Sequence, residues 1–239
     1  MTFNPVFCAV DTTDLAAALH LAGQLRGHVG GLKVGLEFHT VHGAAGVRAV
    51  ADLGLPLFLD LKFHDIPNTV AGAIRGAVRL APELTTLHAC GGAEMMRAAA
   101  DAAADEAAKL GIQRPRLLAV TVLTSMGQAE LPSVGVGGAV LDQVKRLAAL
   151  AQESGIDGLV CSPHEVQALR AQCGPDMTLV VPGIRPAWSA SNDQKRILTP
   201  AEALERGADV LVIGRPITAA ASPAEAAARI AAELKGAAA

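Results

Sequence analysis

Eight short apolar runs recur along this chain, and each is followed by a longer amphipathic stretch. The runs cover residues 6–10, 31–34, 57–61, 84–88, 117–122, 158–161, 178–181 and 210–213. They are too short for buried helices and read as strands covered on both faces. Residues 14–25, 42–52, 67–80, 93–110, 139–154, 164–172, 200–206 and 223–235 repeat apolar side chains at helical spacing. Strict alternation of strand and helix implies parallel strands joined by helical crossovers. Eight such units in 239 residues match the usual size of a closed (β/α)8 TIM barrel, expected here as a single α/β domain over residues 1–239. A doubly wound open sheet is the rival, but it usually has fewer strands.

The polar residues that interrupt this pattern cluster at strand ends. Asp11 closes the first strand, Lys33 sits near the end of the second, and His88 closes the fourth. Thr124 and Ser125 follow the fifth, Arg185 the seventh, and Gly214 and Arg215 the eighth. In a barrel these positions share the C-terminal face, where such folds place their sites. The third strand is the most informative. It runs from apolar residues into Asp60-Leu61-Lys62-Phe63-His64-Asp65-Ile66-Pro67-Asn68-Thr69. Strand alternation directs Asp60 and Lys62 to one side, and desolvating both is costly unless they work together.

A second feature is suited to an anion. Gly214-Arg215-Pro216 joins the last strand to the last long helix, where a glycine lets backbone N–H groups approach an oxyanion and an arginine can grip a phosphate. Residues 182–199 are long and polar for a strand-to-helix loop, and they carry Arg185 and Gln194; such loops often act as lids. Gly135-Val136-Gly137-Gly138 lacks dinucleotide-fingerprint spacing and reads as the approach to a helix. The seven histidines form no pair with metal-ligand spacing, so no metal or cofactor is expected.

Composition narrows the partners. A net charge of −3 argues against a broad nucleic-acid surface. No apolar stretch is long enough to cross a bilayer, and residues 1–11 lack a signal-peptide pattern. Cys8, Cys90, Cys161 and Cys173 form no Cys-x-x-Cys pair, consistent with reduced thiols and a cytoplasmic location.

The run from Asp60 to Thr69 closely resembles the signature of orotidine 5'-phosphate decarboxylases, Asp-x-Lys-x-x-Asp followed by Ile-Pro-Asn-Thr. The resemblance extends through Ala9-Val10-Asp11, Lys33-Val34-Gly35, Leu87-His88-Ala89, residues 120–125, residues 182–185, Asp193-Gln194-Lys195-Arg196 and residues 213–217. It implies decarboxylation of orotidine 5'-phosphate to UMP without metal or cofactor. Lys62 would protonate C6, Asp60 would sit against the substrate carboxylate, and Lys33 and Asp11 would hold the charge network and ribose hydroxyls. Asp65 and Thr69 would reach into the site of a partner subunit, making a homodimer. Ser125, beside Thr124, would read the pyrimidine edge, and Arg215, Gln194 and Arg185 would grip the phosphate. Trp188-Ser189-Ala190-Ser191 departs from the family pattern in the middle of the lid. Related sugar-phosphate lyases share Asp-x-Lys-x-x-Asp but use Mg2+; the Ile-Pro-Asn-Thr extension argues against them.

Overall fold

The structure is a computed structural model that describes residues 4–189 and 198–237. Its eight strands are β1 (Val6–Ala9), β2 (Gly31–Gly35), β3 (Leu57–Phe63), β4 (Leu84–His88), β5 (Arg116–Val120), β6 (Gly158–Val160), β7 (Thr178–Pro182) and β8 (Val210–Ile213). They pair in sequence order, all parallel, and β8 returns to β1 to close a barrel. Helices α1 (Leu15–Leu25), α2 (Leu36–Ala51), α3 (Pro67–Val78), α4 (Ala93–Leu110), α5 (Val140–Glu153), α6 (Val166–Cys173), α7 (Pro200–Glu205), α8 (Arg215–Thr218) and α9 (Pro223–Ala237) form the outer layer. The eight apolar runs therefore sit where strands sit, within two residues at each end.

Two apolar clusters hold the layers together. A small inner one, built from Phe7, Phe58, Leu84, Leu118, Val180, Val210 and Val212, fills the barrel. Phe7 and Phe58 meet edge to face at 6.3 Å, the geometry favoured by ring quadrupoles. Gly31 makes room for this, since a Cβ there would lie 2.3 Å from the Phe7 ring. The larger cluster lies between strands and helices and includes Val34, Leu59, Leu87, Met95, Leu117 and Ile213. Local sequence also sets helix starts. Asp14 accepts the Ala17 N–H at 3.0 Å, and Thr199 and Glu202 form a capping box on α7.

Two elements differ from expectation. Helix α2 begins at Leu36, directly after β2, and not at residue 42; Gly43, at φ 58° and ψ −160°, interrupts it. Its first segment leaves Leu36 and Val41 each 55% exposed, so it presents no buried stripe for periodicity to reveal. The single turn α8 lies in the connection between β8 and the last long helix, where no helix was expected, because four residues starting with Arg-Pro carry no helical period.

Strand β3 carries a bulge at its end. Leu59 pairs with Thr85 and Phe63 with Leu87, so four steps along β3 face two along β4. Asp60, Leu61 and Lys62 occupy the excess. Lys62 adopts φ +51°, one of two non-glycine residues with positive φ among those described. Simple alternation therefore breaks at the very residue for which it was invoked.

At the opposite end of the barrel, ion pairs tie strand beginnings to one another. Asp157 accepts Arg114 at 2.9 Å and the Leu117 N–H at 2.7 Å. Asp209 accepts Arg170 at 2.5 Å and the Leu179 N–H at 2.7 Å. Arg170 also donates to the carbonyls of Gly174, Met177 and Gly207.

Candidate active site

The C-terminal ends of β1, β2 and β3 bring together two acids and two lysines. Lys33 Nζ lies 2.9 Å from Asp11 Oδ1, and Lys62 Nζ lies 2.7 Å from Asp60 Oδ2. Lys33 is buried, Asp60 and Lys62 are half-buried, and Asp11 faces the solvent. Pairing offsets the cost of desolvating charge at such depth. Lys33 and Asp60 line a cleft of about 240 Å³ with Asp11, Arg185, Gly214 and Arg215. The same two residues also line an adjoining cavity with Lys62, Val122 and Thr124. The two hollows form one continuous site, with the ion pairs on its floor and two guanidinium groups on one rim.

The positive rim is built by β7 and β8. Arg185 follows β7, and its N–H donates to the Leu198 carbonyl at 3.0 Å, which draws the two limbs of the long loop together. Arg215 opens α8 immediately after Gly214. Together they supply cationic donors matched to a phosphate.

Other expected residues lie apart from this floor. Ser125 is exposed and lines a larger cleft between the loops after β5 and β6, which meets the site at Thr124 and Pro182. Asp65 and Thr69 are exposed; Asp65 accepts the neighbouring Ile66 N–H at 2.6 Å. Neither lines the cleft, because the chain turns outward after Phe63 to start α3. Gln194 lies outside the described residues. Trp188 does not lie over the cleft: its ring packs against α9 with the Arg229 guanidinium 4.5 Å from its centroid.

Two histidines stand close to each other beside the end of β4. His88 stands at the end of β4 with its ring 5.4 Å from that of the exposed His64. Burial, and next the adjacent His64 and Lys62, hold the His88 imidazole below its ordinary value. The thiols are poor nucleophiles: burial pushes Cys8 up to about 12 and raises Cys161, Cys173 and Cys90. Among the described residues no group of three His, Cys, Asp or Glu could hold a metal ion, and no helix is long and apolar enough to cross a membrane.

Sequence reasoning missed one residue of the floor. Thr86, fully buried on β4, donates from Oγ1 to Asp60 Oδ1 at 2.9 Å and accepts the Lys62 N–H at 2.9 Å. The only signal available was a pair of threonines between the leucines of β4, which β-propensity alone explains.

The family model described as "Orotidine 5'-phosphate decarboxylase / HUMPS family" matches residues 4–230. The orotidine 5'-phosphate decarboxylase of Paramagnetospirillum magneticum is 67% identical over 231 residues, 97% of this chain and 98% of that protein. That of Rhodospirillum rubrum is 59% identical over 237 residues, 99% and 96% of the two chains. Among solved structures, the orotidine 5'-phosphate decarboxylase of Lactobacillus acidophilus superposes with a TM-score of 0.87 at 36% identity, covering 97% of this chain and 99% of that one.

Proposed function

We propose that this chain, which belongs to the orotidine 5'-phosphate decarboxylase family, converts orotidine 5'-phosphate to UMP and CO2, the last step of pyrimidine nucleotide synthesis. The observation that carries this reading is the placement of the Lys62–Asp60 and Lys33–Asp11 pairs on the floor of a cleft rimmed by Arg185 and Arg215. Loss of CO2 leaves an electron pair on C6 that the pyrimidine ring delocalises poorly. An ammonium fixed beside that carbon stabilises the pair as it develops and then supplies the proton, so Lys62 is the donor in this scheme. Asp60, in line with Lys62, faces the departing carboxylate, and their repulsion is relieved as CO2 leaves. The floor thus suits the carbanion better than the substrate, which is the requirement for catalysis.

The phosphate is remote from the reacting carbon. Its grip by Arg185 and Arg215, with Gln194 added from the loop, supplies binding energy that orders the site. Thr124 and Ser125 lie on the side where the base would rest. The reaction in this scheme uses no metal or cofactor. A spectrophotometric assay tests it: orotidine 5'-phosphate incubated with the protein and excess chelator should lose its orotate absorbance and yield UMP. Turnover only after Mg2+ is restored would instead favour the sugar-phosphate lyase branch.

The homodimer belongs to the same proposal. Asp65 and Thr69 are exposed and do not line this chain's floor; they flank Ile66, which is 66% exposed, and Leu36 and Val41 of α2 are exposed apolar side chains as well. A two-fold interface would cover these apolar groups and carry Asp65 to a neighbouring site. Mixing inactive Lys62→Ala and Asp65→Ala chains under exchange should then restore about a quarter of normal activity, because half the dimers are mixed and each has one intact site. No restoration would mean that Asp65 does not serve the partner's site, and an active Asp65→Ala protein would place it outside the site altogether.

A further inference from the structure

The bulge at the end of β3 poses a problem that the catalytic assignment leaves open. A lysine held at φ +51° is in a region that side-chain-bearing residues disfavour, and it persists only where its surroundings hold it there. Along β3 the backbone groups alternate sides, with Leu57 accepting from Glu83 on the β4 side and Pro56 from Leu32 on the β2 side, so regular continuation would turn the Lys62 N–H toward β2. Here the register has slipped by two residues, and the N–H donates instead to the Thr86 hydroxyl at 2.9 Å.

The direction of the remaining bonds follows from elementary donor counting. A backbone N–H can only donate, so Thr86 Oγ1 accepts from Lys62. A hydroxyl has a single proton, and a carboxylate has none to give. The Thr86 proton therefore points to Asp60 Oδ1, 2.9 Å away. The other Asp60 oxygen, Oδ2, receives the Lys62 ammonium at 2.7 Å. The bonds run from the Lys62 backbone, through Thr86 and Asp60, back to the tip of the same lysine. Thr86 is fully buried, so water cannot replace its hydroxyl without opening the strand pair.

We propose that Thr86 is a positioning residue of the site: its hydroxyl fixes both the strained backbone of Lys62 and the rotation of the Asp60 carboxylate, so that the ammonium stands where the carbanion forms. This rests on the decarboxylase reading above. Thr86 does not touch substrate; it acts through the two residues that do. Losing it frees the carboxylate to rotate and the bulge to relax, and misplacing a reacting group by about 1 Å can cost about 100-fold in rate.

Thr85 provides an internal control. It is the next residue on β4, is equally buried, and also spends its hydroxyl on β3, donating to the Leu59 carbonyl at 3.0 Å. It touches neither Asp60 nor Lys62 in any described bond. Thr86→Val, Thr86→Ser and Thr85→Val would be compared for kcat, KM and melting temperature against the unaltered protein. Thr86→Val should lower kcat about 10- to 100-fold while KM stays within about threefold of the unaltered value, since the phosphate grip is untouched. Thr86→Ser, which keeps the hydroxyl, should recover most of the rate. Thr85→Val should lower the melting temperature and leave kcat unchanged. If Thr86→Val does not fold, Thr86→Cys, close in volume but a weak donor, takes its place with the same expectation. Equal kcat for the Thr86 and Thr85 variants would overturn the proposal, as would a Thr86→Ser variant no faster than Thr86→Val. Failure of the unaltered protein to turn over orotidine 5'-phosphate would instead overturn the decarboxylase reading.

Discussion

Aspartates meet cations at both ends of the barrel, but they hold different things. At the N-terminal end, Asp157 and Asp209 each bridge an arginine and one backbone N–H, that of the second residue of a neighbouring strand. At the C-terminal end, Asp11 and Asp60 meet lysines, and the backbone group drawn into the floor through Thr86 is the N–H of a lysine in a strained conformation. One end uses charge to satisfy a regular backbone, while the other uses an irregular backbone to place charge. Arginine, planar and many-donored, suits the first task; lysine, a mobile point charge that can release a proton, suits the second.

The comparison is broken most directly at Lys62. Lys62→Ala should cut turnover by about 10³-fold or more and still give a cooperative melt, because the pair it leaves is partly solvated. A variant that keeps more than a tenth of normal turnover would remove Lys62 from the chemistry. The matching change at the other end is Asp209→Ala. It strands the Leu179 N–H and leaves Arg170 without its carboxylate, which should cost about 2 kcal/mol, or about 4–8 °C in melting temperature. Its kcat should stay within about twofold of normal at temperatures where it is folded. Loss of activity without loss of stability there would erase the distinction between the ends.

A finer test separates strain from charge. Lys62→Gly and Lys62→Ala remove the same ammonium, but only glycine tolerates φ +51° freely. The glycine variant should be the more stable by about 1 kcal/mol in denaturant unfolding. Equal stabilities would mean that the backbone at Lys62 relaxes once its ammonium is gone.

The smallest effects concern pH, and they also lie at the C-terminal end. His88 is held below its ordinary value, so on acidification through pH 6.5 the unfolded chain takes up a proton before the folded one, and stability falls as pH drops. Glu165, buried at the start of α6, is raised above its ordinary 4.5 despite the Ser162 N–H it accepts. There the unfolded chain loses its proton first, and stability falls as pH rises through the interval above 4.5. Denaturant titrations across pH 4–8 should show the second slope vanish in Glu165→Gln.

How far the sequence discloses the molecule depends on scale. All eight strands were legible because burial on both faces leaves an uninterrupted apolar signal. The acids and lysines of the floor were legible because charge at the end of such a run needs a reason. The conformation that joins them was not. A positive φ is signalled by glycine or asparagine, and here it falls on a lysine held by tertiary bonds. Thr86 was hidden for a similar reason: its role exists only across a register slip between β3 and β4. The first turns of α2 and the single turn α8 escaped because neither buries enough of one face to show a period.

The Arg170 clamp has a bearing on the covalent continuity of the chain. One guanidinium joins residues 174 and 177, before the long loop, to Gly207 and Asp209, after it, and the Arg185–Leu198 bond closes the same loop at its root. β7 and β8 are also hydrogen-bonded edge to edge. A polypeptide severed between residues 186 and 197 would therefore keep its two pieces in register through contacts on both sides of the cut. Such a cut would make the barrel a two-fragment assembly, with its seam beside Arg185.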